Sequence, residues 1–251
     1  MQKKFPNSIE AYPNLANVLI EKGENDAAKK ILNKAIELNP NYLKPYSDLA
    51  AIYVGERAFK EAEVLLRKSV DINPKDINTL VNLACVLKDL GNPKEAEKFL
   101  RNALKINPTY EIALTNLGAV LNELERIDEG EGYLRKALNI NQASPTALNN
   151  LGNILSKKKN FSEAEFCYRK AIEIKSDFSL AYNNLASLLS RQGKLSEAEE
   201  FTEKAILYNP KFELAYVNLG TIKIDLESIS PNNGQTGVPT DTNITFTFNI
   251  K

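Results

Sequence analysis

Apolar residues along this chain fall in runs of helical period, and the runs come in pairs. Between Ile77 and Tyr110, Leu80, Leu83, Ala84, Val86, Leu87 and Leu90 stand three and four apart, which puts them on one face of a helix. Gly91 interrupts the run, and a second apolar helical pattern follows from about residue 94 and stops at Asn107-Pro108. The same sentence is written again every 34 residues: the closing tripeptides LNP, INP, INP, INQ, IKS and YNP end at Pro40, Pro74, Pro108, Gln142, Ser176 and Pro210. The spacing predicts a series of helical hairpins.

With Ile9 as position 1 of the first unit, position 7 is Leu throughout, at Leu15, Leu49, Leu83, Leu117, Leu151, Leu185 and Leu219. Position 8 is always Ala or Gly, position 20 is small (Ala28, Ala62, Ala96, Gly130, Ala164, Ala198), and position 27 is Ala or, at Ser69, Ser. Small residues at fixed places let two helices approach closely. This pattern, with Tyr at position 4 in four units and Pro at position 32, resembles the tetratricopeptide repeat. The resemblance implies an all-α fold: a right-handed α-solenoid of antiparallel helix pairs, each burying its apolar face only against its neighbours. The units are residues 9–42, 43–76, 77–110, 111–144, 145–178 and 179–212, with a half repeat at 213–225. Unit 4 carries Gly130 and Gly132 inside its second helix. At about 1 kcal/mol each relative to Ala, they mark it as the expected soft joint of the array.

Both ends read differently. Residues 1–8 look like the tail of a preceding, truncated repeat. Residues 226–251 change character: Pro231, Gly234, Gly237 and Pro239 give turn chemistry, then Ile244, Phe246, Phe248 and Ile250 alternate with Thr245, Thr247 and Asn249 as in a β-strand. The phrase SPNNGQTGVPTDTNITFTF resembles the opening of a bacterial immunoglobulin-like domain. The chain thus reads as a piece of a longer repeat protein.

Charge and composition then remove classes of function. Thirty-two basic residues balance thirty-two acidic ones, so no electropositive footprint points to nucleic acid. There is no histidine and there are only two cysteines, Cys85 and Cys167. Histidine-based acid-base chemistry, Cys-His nucleophile pairs and the usual zinc ligand sets therefore fail, and we expect no catalytic residue, no metal and no cofactor. The cysteines are separated by two repeat steps and so lie beyond disulfide reach. Glu at position 19 and the cationic pairs at positions 25 and 26 fit the two ends of a helix dipole and read as solvated structure. No apolar run spans a bilayer and the first residues lack a signal-peptide core. As written the chain reads as cytoplasmic, with an envelope or surface location open if it is a fragment.

The remaining face of each first helix, at positions 2, 5, 6, 9, 12 and 13, is by resemblance the lining of a concave groove. Position 6 is Asn14, Asp48, Asn82, Asn116, Asn150, Asn184 and Asn218. Asn149 and Asn183 at position 5 and Asn153 at position 9 enrich it, as do Ser187, Asn122, Ser156 and Ser190. An amide side chain both donates and accepts, so it pairs with a peptide bond without reading its sequence. The column is similar to the asparagine ladder in the repeat arm of O-linked N-acetylglucosamine transferases, which implies a grip on extended polypeptide. Equally, Asn at position 6 is common in such repeats as a solvated residue. The lysine-based clamp for chaperone tails is not matched: position 5 reads Pro13, Ser47, Val81, Thr115, Asn149, Asn183, Val217. Ile112, Leu180, Leu214, Val217 and Ile224 could anchor ligand side chains towards the C-terminal end, but packing between repeats is the favoured expectation. The leading expectation is a non-enzymatic protein-interaction scaffold, taking a partner protein or extended peptide, with no nucleic acid and no membrane insertion. A recruiting arm of a larger glycosyltransferase or sulfotransferase, and an adhesive surface protein, are the alternatives.

Overall fold

The computed structural model describes residues 8–229 of the chain. Among them are thirteen α-helices and no strand: α1 (Ala11–Glu21), α2 (Asn25–Leu38), α3 (Leu43–Gly55), α4 (Phe59–Ile72), α5 (Ile77–Asp89), α6 (Pro93–Ile106), α7 (Glu111–Glu123), α8 (Ile127–Ile140), α9 (Pro145–Lys157), α10 (Phe161–Ile174), α11 (Ser179–Arg191), α12 (Leu195–Tyr208) and α13 (Glu213–Ile229). Odd-numbered helices carry the first pattern of each unit and even-numbered ones the second.

The turn inside each hairpin is set by one residue at position 15, which takes a positive φ in all six hairpins. Glycine supplies it at Gly23, Gly91 and Gly193, whereas Arg57, Glu125 and Lys159 adopt φ of 60°, 57° and 61°. That backbone lets two amides turn back onto the helix, as where Glu24 donates to the Leu19 carbonyl at 2.8 Å and Gly23 to that of Ile20 at 2.9 Å. Five of the six second helices stop at an Asn whose side-chain oxygen takes the amide two residues on, at Asn39, Asn73, Asn107, Asn141 and Asn209, while α10 stops at Lys175. Tyr46 and Tyr216 donate their hydroxyls to the carbonyls of Pro40 and Pro210, which ties position 4 to the end of the preceding unit.

The small residues at positions 8 and 20 lie where the paired helices meet and are fully buried at Ala16, Ala28, Ala84 and Ala96. In two hairpins the approach is closer than any Cβ allows. A Cβ on Gly118 would sit 2.5 Å from Cγ of Leu134, and one on Gly152 would sit 2.5 Å from Cε1 of Tyr168. Gly130 belongs to the same contact, since its Cβ would meet the Gly118 carbonyl and Cδ1 of Ile154, each at 3.0 Å, while Gly132 faces open space. Of the two glycines expected to soften unit 4, one is therefore demanded by packing and one is not.

Apolar packing is spread along the array in successive clusters, with Leu104 and Tyr133 packed against both of the two largest. First helices also touch the first helices of neighbouring units (α1 with α3, α5 with α7, α7 with α9, α9 with α11, α11 with α13), whereas no two second helices make a comparable contact. The array therefore bends toward its first helices, which line the inner wall.

On the outer side a ladder of ion pairs crosses every seam from unit 2 to unit 6. Arg67, Arg101, Arg135 and Arg169 each bond a glutamate one turn back, at Glu63, Glu97, Glu131 and Glu165. Each then reaches a glutamate of the next unit, at Glu95, Glu129, Glu163 and Glu197. These residues were expected to serve only their own helix dipoles; the structure joins them between repeats. Asn33 and Glu203 occupy the arginine's place in units 1 and 6.

At the C-terminal end α13 runs four residues past the expected boundary at 225. Leu226 packs against the apolar core there, which is reason enough for the helix to continue through residues that were assigned to an immunoglobulin-like segment. The rest of that segment, with the strand expected around residues 244–250, lies outside the described residues, as do residues 1–7 of the truncated repeat expected at 1–8.

Two predictions follow from packing and charge. Gly132→Ala should raise stability by about 1 kcal/mol and Gly130→Ala lower it by roughly 1–3 kcal/mol, read from urea unfolding midpoints. Second, hydrogen bonds from Arg101 to Glu129 and from Lys158 to Glu131 hold those carboxyls below their ordinary value of 4.5. At Glu97 and Glu165 partial burial pushes upward, but bonds from Arg101 and Arg169 outweigh it. A depressed folded pKa means stability that is present above 4.5 and lost as pH falls through the folded values. The melting temperature should hold from pH 7 to 5 and drop below about 4.5, less steeply in an Arg101→Gln, Arg135→Gln variant.

Candidate ligand-binding groove

Helical spacing puts positions 2, 6, 9 and 13 of the odd-numbered helices on the inner wall. Asn14 and Asn82 are exposed there, and Asn116, Asn150, Asn184 and Asn218 are half-buried. Asp48, which interrupts the column, is held by Lys44 one turn earlier at 2.7 Å. Asn116 and Asn150 have no protein partner for their side chains among the described residues, so both ends of each amide face the groove uncommitted.

Asn149 and Asn183 do not line the groove. Both are buried, and each accepts a hydrogen bond across the seam from the position-6 asparagine of the next unit: Asn184 Nδ2 to Asn149 Oδ1 at 2.9 Å, and Asn218 Nδ2 to Asn183 Oδ1 at 2.8 Å. Position 5 points along the array toward the neighbouring first helix, and where both sides carry an amide the two pair. The consequence is orientation. With its nitrogen held by Asn149, Asn184 turns its side-chain oxygen the other way. Asn149 Nδ2 is left buried without a partner.

Asn153 sits on the wall as expected, but its oxygen is already taken by the Tyr168 hydroxyl at 2.8 Å. Tyr168 belongs to α10, and its ring reaches the wall only because Gly152 leaves room. Burial drives the Tyr168 pKa upward, so the hydroxyl stays protonated and donates. Sequence reasoning passed this residue over, although position 24 carries the signal: Leu32, Leu66, Leu100 and Leu134 precede it, and Tyr168 and then Thr202 break the column with a hydroxyl.

Asn122, Asn153, Ser156, Tyr168, Asn184 and Ser187 converge, with Lys157 and Leu188, on one hollow of about 330 Å³ in the wall between units 4 and 6. Lys157 is engaged at its rim by the Asn122 carbonyl at 3.1 Å and by Glu125 at 3.0 Å. Arg191 donates to Ser156 Oγ at 3.0 Å and lies over the Phe161 ring. Another hollow, of about 460 Å³, is formed by the α5–α6 turn and the start of α6; it belongs to the hairpin turn, not to the first-helix wall.

The apolar residues expected between repeats are not packed there: Ile112 and Leu180 are exposed on the wall, and Leu214, Val217 and Ile224 are exposed on α13. α13 is the last described helix, and no hairpin among the described residues covers its outer side. Lys223, at position 11 of α13, is exposed, with its amine 3.5 Å from Glu199. Cys85 and Cys167 are free, and burial pushes both thiols upward, Cys167 to about 11, away from a reactive thiolate. No described helix is long and apolar enough to cross a membrane.

Four family models, each described as tetratricopeptide repeat, match residues 19–84, 77–110, 109–177 and 167–200. No curated protein matches the chain in sequence. Among solved structures, the chain is similar to one in the APC/C hetero-tetramer Cut9-Hcn1, at 14% identity and a TM-score of 0.76, covering 87% of this chain but 43% of that one. It is similar to PilW, described as a widely conserved type IV pilus biogenesis factor, at 19% identity and a TM-score of 0.73, covering 87% and 100%. A tetratricopeptide repeat protein from Parabacteroides merdae matches at 22% identity and a TM-score of 0.72, covering 88% of each chain. Likeness at these identities speaks for the fold.

The seam bonds predict a contrast between adjacent asparagines. Asn149→Ala should lower stability by about 1 kcal/mol, through the lost bond to Asn184. Asn150→Ala, which removes no side-chain hydrogen bond, should not lower the denaturation midpoint.

Proposed function

We propose, starting from a chain built of tetratricopeptide repeats, that the concave first-helix wall binds an extended segment of a partner protein and that the protein serves as a non-enzymatic interaction scaffold. The observation that carries this reading is the column of position-6 asparagines, half-buried at Asn116, Asn150, Asn184 and Asn218. Two of them are steered by buried asparagines behind them.

Helices in such an array lie roughly 8–10 Å apart, and an extended chain rises about 3.3 Å per residue. One amide per repeat therefore falls near every third residue of a peptide laid along the wall. Each uncommitted amide offers a donor and an acceptor to a peptide group. The exposed apolar residues Ile112 and Leu180 on the same wall supply surface for side chains that flank those contacts.

The test is the affinity of the full chain for a fluorescent pool of unstructured peptides, measured by polarisation. The triple variant Asn116→Ala, Asn150→Ala, Asn184→Ala should bind at least about tenfold more weakly, as the loss of three contacts worth about 0.5–1.5 kcal/mol each implies. Unchanged affinity would sink the backbone-reading role of the column.

A further inference from the structure

We infer that the hollow between units 4 and 6 is a side-chain pocket that selects a neutral carboxamide, glutamine or asparagine, in the bound polypeptide. This rests on the groove reading above and adds a sequence preference to it. The polar atoms around the hollow are not all spoken for, and what remains free has a definite character.

Asn122 Oδ1 is buried and has no hydrogen-bond partner. A buried carbonyl of this kind goes unpaired at a cost, so a turn of the Asn122 side chain that brings it to a donor in the hollow gains what the protein otherwise forgoes. Asn184, with its nitrogen on Asn149, presents a second acceptor. On the opposite account, Asn153 has given its oxygen to Tyr168, which leaves its side-chain amide hydrogens to donate. Ser156 accepts from Arg191, so its own hydrogen is free, and Ser187 lines the hollow with another hydroxyl. The site therefore holds unsatisfied acceptors and unsatisfied donors side by side, which is the complement of a group that has both.

Charge narrows the choice. A carboxylate would find the Asn122 and Asn184 oxygens with no proton to offer them. A lysine or arginine side chain would lie beside Lys157 and Arg191, of which only Lys157 has a carboxylate partner, Glu125. An aliphatic side chain would leave every one of these polar atoms without a partner. A carboxamide carries donor and acceptor on one flat end, and a volume of about 330 Å³ has space for it.

The experiment uses the full chain and a set of extended host peptides in which one position is Gln, Leu, Glu or Lys, moved along the host so that every register is sampled. In one register Gln should bind about tenfold more tightly than Leu, Glu or Lys. Asn122→Leu, and independently the conservative Ser187→Ala at an exposed residue, should shrink the ratio of Gln-peptide to Leu-peptide affinity. Equal binding of all four peptides in every register would overturn the pocket and leave the groove reading standing. A preference for Glu or Lys would overturn the carboxamide assignment. Failure of every peptide to bind would remove the groove reading and the pocket with it.

Discussion

Everything in this array depends on how closely the two helices of a hairpin can approach. Alanine or glycine at positions 8 and 20 brings the backbones together, and the larger residues between them then interdigitate without voids. The constraint is tightest where it has displaced even a methyl group, at Gly118 against Leu134 and Gly152 against Tyr168. From it follow the turn, which must close over a short distance and so holds position 15 at positive φ, and the inward tilt that gathers the first helices into a wall. The strain is real at Arg57, Glu125 and Lys159, where a side chain occupies a conformation that glycine takes at no cost. The same close approach made the tyrosine at position 24 useful, because a ring that passes beside Gly152 delivers its hydroxyl to the opposite face.

The asparagines show one residue type in two roles set by a shift of a single position. At position 6 the side chain stands on the wall; at position 5 it lies behind the wall, against the next unit. Asn149 and Asn183 are therefore part of the scaffold, and what they support is the direction in which Asn184 and Asn218 point. An amide whose nitrogen is held cannot swing to suit a ligand, so its remaining acceptor is presented with less entropy left to lose.

Much of this was legible in the sequence. A 34-residue period with Leu at position 7 and small residues at 8, 20 and 27 leaves little freedom to a helical chain, and hairpin after hairpin has its helices where the columns place them. The groove column could be read as well, through Asn116, Asn150 and Asn184. What escaped were relations between units. Nothing in the spacing of Asn149 and Asn150 says which amide faces inward, since both lie at the margin of the apolar stripe and only the neighbouring helix decides. Arg101 and Glu129 are a full unit apart, so reading each against its own helix dipole missed the pairing. The end of α13 was misplaced because Leu226 packs against a core cluster drawn mostly from earlier helices.

The outer ladder has a further property, which concerns ancestry. Each arginine at position 25 looks for a glutamate at position 19 of whichever unit comes next, and Arg67, Arg101, Arg135 and Arg169 meet the same kind of partner in the same way. A duplication or deletion of one whole 34-residue unit within residues 77–178 rejoins an arginine to a glutamate and needs no second change to heal the junction. Unequal crossing-over can therefore lengthen or shorten the array freely in its middle, but not at its ends, where Asn33 and Glu203 break the rule. The seam is written so that any interior copy is grammatical after any other.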